Sequence, residues 1–259
     1  MLKFSKANSK TKELSNSAVA NWLRNGRKTY SLDLLSGWSC CGADKCLAKV
    51  HIIDGKKKLV DGPNQEYRCF STQAELIYPE VYNQRKHNLD VVRSIKNCAT
   101  MAEVILSDLP KDCGILRINV AGDIVNYEYF KAWTIVANMR PNVLFYAYTK
   151  SLLFWVKYLE EHGEIPYNFV LTASRGSRYD NLIDKYKLRE AKVIFSMEEA
   201  DGPVDFTDEW AANPETRNTN FNLLLHNAQP AGSKASKAWQ KIKTEGHGGY
   251  SKKKKFVNT

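Results

Sequence analysis

Five times between Ile115 and His226 the chain runs an apolar, β-branched or aromatic segment into a polar residue and then into a helix-like stretch. The apolar segments are Ile115–Val120, Val143–Tyr148, Phe169–Thr172, Lys192–Phe195 and Phe221–Leu225. Their spacing of roughly 25 residues is that of successive βα units, because parallel strands need a crossover long enough to hold a helix. This rhythm predicts an α/β fold with a parallel sheet, a partial or complete TIM-barrel-like βα repeat. Parallel strands present ligand-binding and catalytic groups at their carboxyl ends. The candidate residues are therefore Asp123, Lys150, Arg175, Glu198 and His226.

Each of these types suits a role at such a rim. Asp123 follows Gly122, which allows close approach of a ligand, and it serves as a general base or as a dipole partner of the next helix. Glu198 and His226 complete a catalytic set of proton-transfer groups. Lys150 and Arg175, the latter in Arg175-Gly176-Ser177-Arg178, are expected to bind an anionic substrate. No glycine-rich dinucleotide fingerprint, phosphate loop, Gly-x-Ser-x-Gly elbow or His-Glu-x-x-His helix occurs, which disfavours the common nucleotide and serine hydrolases.

Four of the six cysteines, Cys40, Cys41, Cys46 and Cys69, lie within a segment rich in Gly and turns, residues 36–70. In a reducing compartment that density favours metal ligation over disulfides. Cys40 and Cys41 are adjacent and their side chains diverge, so one of them ligates comfortably with Cys46. One of that pair, with Cys46 and Cys69, then makes three expected metal ligands, with a fourth position open. An iron-sulfur cluster with an accessible iron fits this set, as does a zinc ion completed by His51. The alternative is that the thiols are small buried hydrophobes. Cys98 and Cys113 read as packing residues.

Residues 1–30 read as a basic lead-in, 31–235 as a single α/β domain containing the Cys-rich loop module 36–70, and 236–259 as a basic tail. Ser17 is expected to cap a helix running to Arg24. One helix is expected over about 71–86, divided near Pro79, and another over about 89–106. Asn126 and Ser151 are expected N-caps. Formal net charge is +10, and the chain ends in Lys252-Lys253-Lys254-Lys255. That run is a solvated tail first and a nucleic-acid contact second. The longest apolar runs fall short of the ~20 residues of a membrane span. The N-terminus lacks a signal-peptide pattern. A cytoplasmic protein without a membrane partner is expected.

Several stretches together resemble the phage gene product 88 family: Ser39-Cys40-Cys41-Gly42-Ala43-Asp44-Lys45-Cys46, Tyr67-Arg68-Cys69, Arg117-Ile118-Asn119-Val120-Ala121-Gly122-Asp123, Phe145-Tyr146-Ala147-Tyr148-Thr149-Lys150-Ser151 and Leu225-His226-Asn227-Ala228-Gln229-Pro230-Ala231-Gly232-Ser233. The resemblance implies a phage-encoded protein working in the infected host's cytoplasm. It aligns Cys40 with the family's first cysteine and makes Cys41 the non-ligand, so that Cys40, Cys46 and Cys69 are the metal ligands it implies. It also places Ile124 where the family tends to have Phe. A fainter, fold-level similarity links the chain to the partial barrels of radical S-adenosylmethionine enzymes, although their Cys-x3-Cys-x2-Cys spacing is absent. Two functions are consistent with these features. One is a metal-dependent enzyme, iron-sulfur or zinc, acting on a nucleotide or nucleic acid. The other is a non-enzymatic phage protein that binds nucleic acid or a host factor and whose cysteines are structural.

Overall fold

The computed structural model describes residues 1–247, so the lysine run at 252–255 lies outside the described residues. In chain order the elements are β1 (Phe4–Lys6), α1 (Ser9–Lys12), β2 (Lys28–Leu32), β3 (Ala48–Ile53), β4 (Lys56–Asp61), α2 (Phe70–Ile77), α3 (Pro79–Ser94), α4 (Cys98–Asp108) and β5 (Cys113–Ile118). There follow α5 (Tyr127–Met139), β6 (Leu144–Thr149), α6 (Leu152–His162), β7 (Phe169–Ser174), α7 (Asp180–Tyr186), β8 (Glu190–Ile194), α8 (Glu209–Ala212), β9 (Phe221–Leu224) and α9 (Lys234–Thr244). Seven strands form one sheet in the order β1-β2-β5-β6-β7-β8-β9. β1 is antiparallel to β2, and every later neighbour is parallel.

All five expected strands are present, and β2 precedes them as a sixth parallel strand. Its sequence hides it: Thr29 and Ser31 are buried polar residues, and only Tyr30 and Leu32 give an apolar signal. Among the described residues β1 and β9 end the strand order without pairing, so no closed barrel is formed. Alternation along the strands sorts the two faces. Leu116, Ile118, Phe145, Ala147, Phe169 and Leu171 join the helix residues Val92, Ile105, Phe130, Trp133 and Leu152 in one core. Ile115, Leu144, Tyr146 and Val170 point the other way, into a second core closed by Leu14, Val19, Ala211 and Ala212. The N-terminal segment is thus built into the fold, with Leu14 and Val19 fully buried.

Local chemistry explains where expected helices stop. Pro79 divides α2 from α3 by occupying the first helical position. The expected continuous helix over 89–106 is two helices, because Asn97 accepts from the backbone of Ala99 and Thr100 and starts α4 afresh. Ser17 caps no helix; its hydroxyl donates to Leu14, and only a 3₁₀ turn, Ala20–Leu23, follows. Asn126 caps α5 as its position suggests, whereas Ser151 precedes α6 without a side-chain cap bond.

Residues 36–70 carry more regular structure than a loop-rich reading implies. β3 and β4 form a two-stranded antiparallel hairpin. Its turn residues Asp54 and Gly55 both have positive φ, 52° and 72°, the twist that a two-residue hairpin loop requires. No helix among the described residues is long and apolar enough to cross a membrane.

Candidate functional site

The loop that leaves β2 carries Cys40, Cys41 and Cys46 over the carboxyl ends of the neighbouring strands, and backbone bonds fix it there. The carbonyl of Gly42 accepts from Arg178 N and Ser177 Oγ, each at 3.0 Å. The carbonyl of Gly176 accepts from Asp44 N and Lys45 N. Gly42 has to be glycine, since a Cβ there would stand 1.9 Å from the carbonyl oxygen of Lys150. Gly122, at φ +80°, has no room either: its Cβ would meet Ser39 Oγ at 2.4 Å. The close approach expected at Gly122 is therefore made by the cysteine loop itself.

Cys40 and Cys46 lie in the loop at this edge, and the charge of Cys69 acts on both. Burial pushes the Cys40 thiol well up, and the nearby charges of Asp123, Cys69 and Cys46 push it further. The Cys46 thiol is pushed up to about 11 by burial, with Cys69 and Asp123 adding to the effect and Lys150 opposing it. Tyr67 is raised by burial and by the same two thiols, Cys46 and Cys69. Gly37 N donates to Cys40 Sγ at 3.2 Å. Cys41 turns elsewhere, lying 3.3 Å from Ser151 Oγ and 3.5 Å from the carbonyl of Ile124. His51 packs against Trp38, the ring centroids 4.9 Å apart and the planes tilted by 54°. Among the described residues no three His, Cys, Asp or Glu side chains are grouped so as to hold a metal ion.

Asp123 and Lys150 lie beside the thiols, but neither is a free group. Asp123 Oδ1 accepts from Thr149 Oγ1 at 2.6 Å and from its neighbour Ile124 N at 2.7 Å, and Oδ2 accepts from Lys150 N at 2.8 Å. Burial raises its carboxyl above the ordinary range against the pull of these donors. Lys150 Nζ lies within 2.8 Å of Ser174 O, Ser174 Oγ and Arg175 O, so all three ammonium hydrogens have protein partners. Asp123 ties the end of β5 to the end of β6, and Lys150 ties the end of β6 to the end of β7.

The remaining expected residues are not brought to this opening. Arg175 is engaged by Glu190 and, at 2.9 Å, by Asp184 of α7, which turns its guanidinium away from any anion at the edge. Glu198 sits in an exposed turn 3.8 Å from Lys241 of α9. The five side chains therefore do not surround one mouth. His226 lies on the inner side, its Nδ1 3.2 Å from the carbonyl of Leu224 and its ring 5.2 Å from that of Phe70. Burial, with help from the charges of Lys10 and Arg117, lowers it to about 4, so at neutral pH it is an uncharged imidazole.

Two groupings had no motif to announce them. The first is a chain of hydrogen bonds behind Cys69, all but its first member fully or almost fully buried: Cys69 Sγ to Ser71 Oγ at 3.1 Å, Ser71 Oγ to Ser36 Oγ at 2.5 Å, and Ser36 Oγ to Glu75 Oε1 at 2.7 Å. Three gaps need three hydrogens, and the two hydroxyls supply two. The third comes from either end, the Cys69 thiol or the Glu75 carboxyl. Burial raises the Glu75 carboxyl despite Arg85, which donates to Oε1 at 2.9 Å, and Oε2 is buried without a partner.

The second grouping lies against the second core, the inner face of the sheet that carries Ile115 and Tyr146 and is closed by Leu14 and Val19. Asp208 is fully buried and accepts from Lys10 Nζ at 2.5 Å, Tyr146 OH at 3.0 Å, Tyr148 OH at 3.5 Å and the Arg117 guanidinium. The available sequence signal was period two: Arg117, and Tyr146 and Tyr148, alternate with apolar residues along their strands and mark polar groups on this inner face.

Fold and site together define a mixed α/β protein with a mostly parallel sheet and a cysteine-bearing loop docked on its carboxyl edge. The chain matches the Gene product 88 model over residues 2–244 and belongs to that phage gene product family. No curated protein and no solved structure matches it.

Proposed function

We propose that Cys40, Cys46 and Cys69 hold an iron-sulfur cluster, one iron of which stays open, in a phage enzyme that acts on a nucleotide or nucleic acid in the host cytoplasm. The sheet on this reading is a partial TIM-type barrel, whose carboxyl mouth is where such a cofactor belongs. One observation carries it: from a single loop-and-hairpin segment, Cys69 lies near enough to act on the thiols of both Cys40 and Cys46, and Cys46 on that of Cys40, while Cys41 is turned away. Three thiolates with a fourth position open suit a cluster with one accessible iron, because a cluster spreads soft thiolate ligands over several irons. Zinc with His51 is not supported, since His51 packs on Trp38.

When bound, the cluster supplies an open iron and an electron-transfer centre. The chain's own residues prepare the ligands. Gly37 N–H bonds to Cys40 Sγ and holds its orientation. A ligating cysteine must lose its proton. The serine chain links Cys69 to Glu75, so that flipping each hydroxyl would carry that proton to a carboxyl that burial holds above its ordinary range.

Anaerobic purification followed by iron and sulfide analysis tests the reading. Cys40→Ser, Cys46→Ser and Cys69→Ser should each lose most of the iron, and Cys41→Ser should retain it. Equal iron in all four variants, or none in the parent protein, would overturn it. Glu75→Gln cannot accept the proton, and iron uptake by the apoprotein should slow severalfold at neutral pH; an unchanged rate would remove the relay. A second reading, a non-enzymatic binding protein, is favoured by the saturation of Asp123 and Lys150 with protein partners. It expects iron-free protein whose binding survives all four serine substitutions.

A further inference from the structure

The β3–β4 hairpin has one face packed and one face open. On the packed side Val50 is fully buried, and Lys57 Nζ reaches the carbonyl of Glu75 and the ring of Tyr82. On the open side the cross-strand pairs are Lys49 with Val60, His51 with Lys58, and Ile53 with Lys56. Each pair sets a lysine against an apolar or aromatic side chain, and Ile53 and Val60 stay 39% and 44% exposed.

Trp38, half-buried with one part packed against the first core, borders this face and is clamped in place. Its Nε1 donates to the carbonyl of Val50 at 3.0 Å, and its own carbonyl accepts from Arg93 at 2.7 Å. His51 lies against the ring at 4.9 Å, and Lys49 stands 5.0 Å above it. Among the described residues Lys49, Lys56, Lys58 and Arg93 form no ion pair with a carboxylate, while the nearby Asp61 and Asp90 are paired with Arg68 and Lys86. Asp54 at the hairpin tip is the acid left closest in sequence to these lysines.

We infer that this face, built on Trp38, His51, Lys49, Lys56, Lys58 and Arg93, binds single-stranded nucleic acid, with a base stacked at the tryptophan–histidine pair and the lysines along the phosphates. Charge complementarity selects a polyanion, and the fixed ring selects one with unpaired bases, because a duplex hides the faces of its bases within the stack. Same-face residues on a strand repeat every ~6.8 Å, which lets successive lysines meet successive phosphates of an extended strand. The inference deepens the nucleic-acid part of the proposed function and does not depend on the cluster. Iron is measured on the same preparations, so binding and cluster can fail independently.

Fluorescence anisotropy of a labelled oligothymidine, titrated with the full-length protein over a salt series, tests it. The combined variant K49E/K56E/K58E should bind about tenfold or more weakly at ~0.1 M salt, and its salt slope should fall by about 2, as expected for three lost contacts to a single strand. K49Q/K56Q/K58Q should show the same slope change, and unaltered circular dichroism excludes unfolding. An abasic strand of equal length should bind about tenfold more weakly than oligothymidine to the parent protein. Replacing the four lysines 252–255 by alanine should leave the hairpin's share of the slope in place. The inference is overturned if the hairpin variants bind like the parent, if the tail variant alone abolishes binding, if duplex or abasic strand competes as well as oligothymidine, or if polyglutamate displaces the strand at equal charge.

Discussion

Asp208→Asn should lower the folding free energy by about 3–5 kcal/mol, a large share of what holds a domain of this size together. Asparagine tolerates the left-handed backbone at this position, φ 64°, so the substitution removes charge without adding backbone strain. What it leaves behind is the cost: the buried Arg117 and Lys10 lose the carboxylate they share, and Asp205 is the acid that still acts on Lys10. Burial by itself would raise the Asp208 carboxyl, but Arg117 and Lys10, with the hydroxyl of Tyr146, pull it down to about 2. A depressed carboxyl contributes stability that is present above the unfolded value, ~3.9, and fades as pH falls through the folded value. The gap between parent and variant, measured by urea unfolding, should thus be full at pH 7 and close toward pH 2. Burial holds Asp33, Glu75 and Asp205 up instead, so their pH dependence runs the opposite way, and only the difference between the two proteins isolates Asp208. A gap under ~1 kcal/mol at pH 7 would mean that Lys10 and Arg117 find other partners and that Asp208 is no hub.

The fold was legible where one physical signal dominated. Buried parallel strands have to be apolar, so β5, β6, β7, β8 and β9 stood out from their helices. β2 did not, because its inner residues are the hydroxyls Thr29 and Ser31, placed on the polar inner face of the sheet. The break before α4 was carried by the single side chain of Asn97, which the apolar stripe running past it masked.

The site was harder to read, because a strand's end fixes where a residue sits and not which way its side chain turns. Asp123 and Lys150 were placed at the right edge, yet the structure uses them to bind neighbouring loops. Arg175 had nearer carboxylates in Glu190 and Asp184 than any ligand could offer. Glu198 follows β8 by several residues, enough for a turn to carry it to α9. The serines behind Cys69 come from positions 36 and 71, and nothing in a linear chain marks them as partners of Glu75.

Asp123→Asn should therefore unfold the edge, where the sequence alone predicts a well-folded inactive variant. The carboxylate accepts three hydrogen bonds, from Thr149 Oγ1, Ile124 N and Lys150 N. An asparagine amide placed either way turns one acceptor into an N–H facing a buried donor. Leaving a buried donor unsatisfied and losing bonds to a charged acceptor together cost about 2–4 kcal/mol. The cysteine loop should loosen with it, because Ser39 Oγ accepts from Asp123 N at 3.1 Å, and the carbonyls of Gly42 and Lys150 share the hydroxyl of Ser177. On the proposed cluster reading, iron content should fall along with stability. Thr149→Val removes one donor to the carboxylate from the other side, and in the double variant the two losses should be less than additive, as for residues that share one bond. If Asp123→Asn keeps the parent's urea midpoint and its iron while losing all activity, Asp123 is a catalytic carboxylate after all, and the strap between β5 and β6 is held by something else.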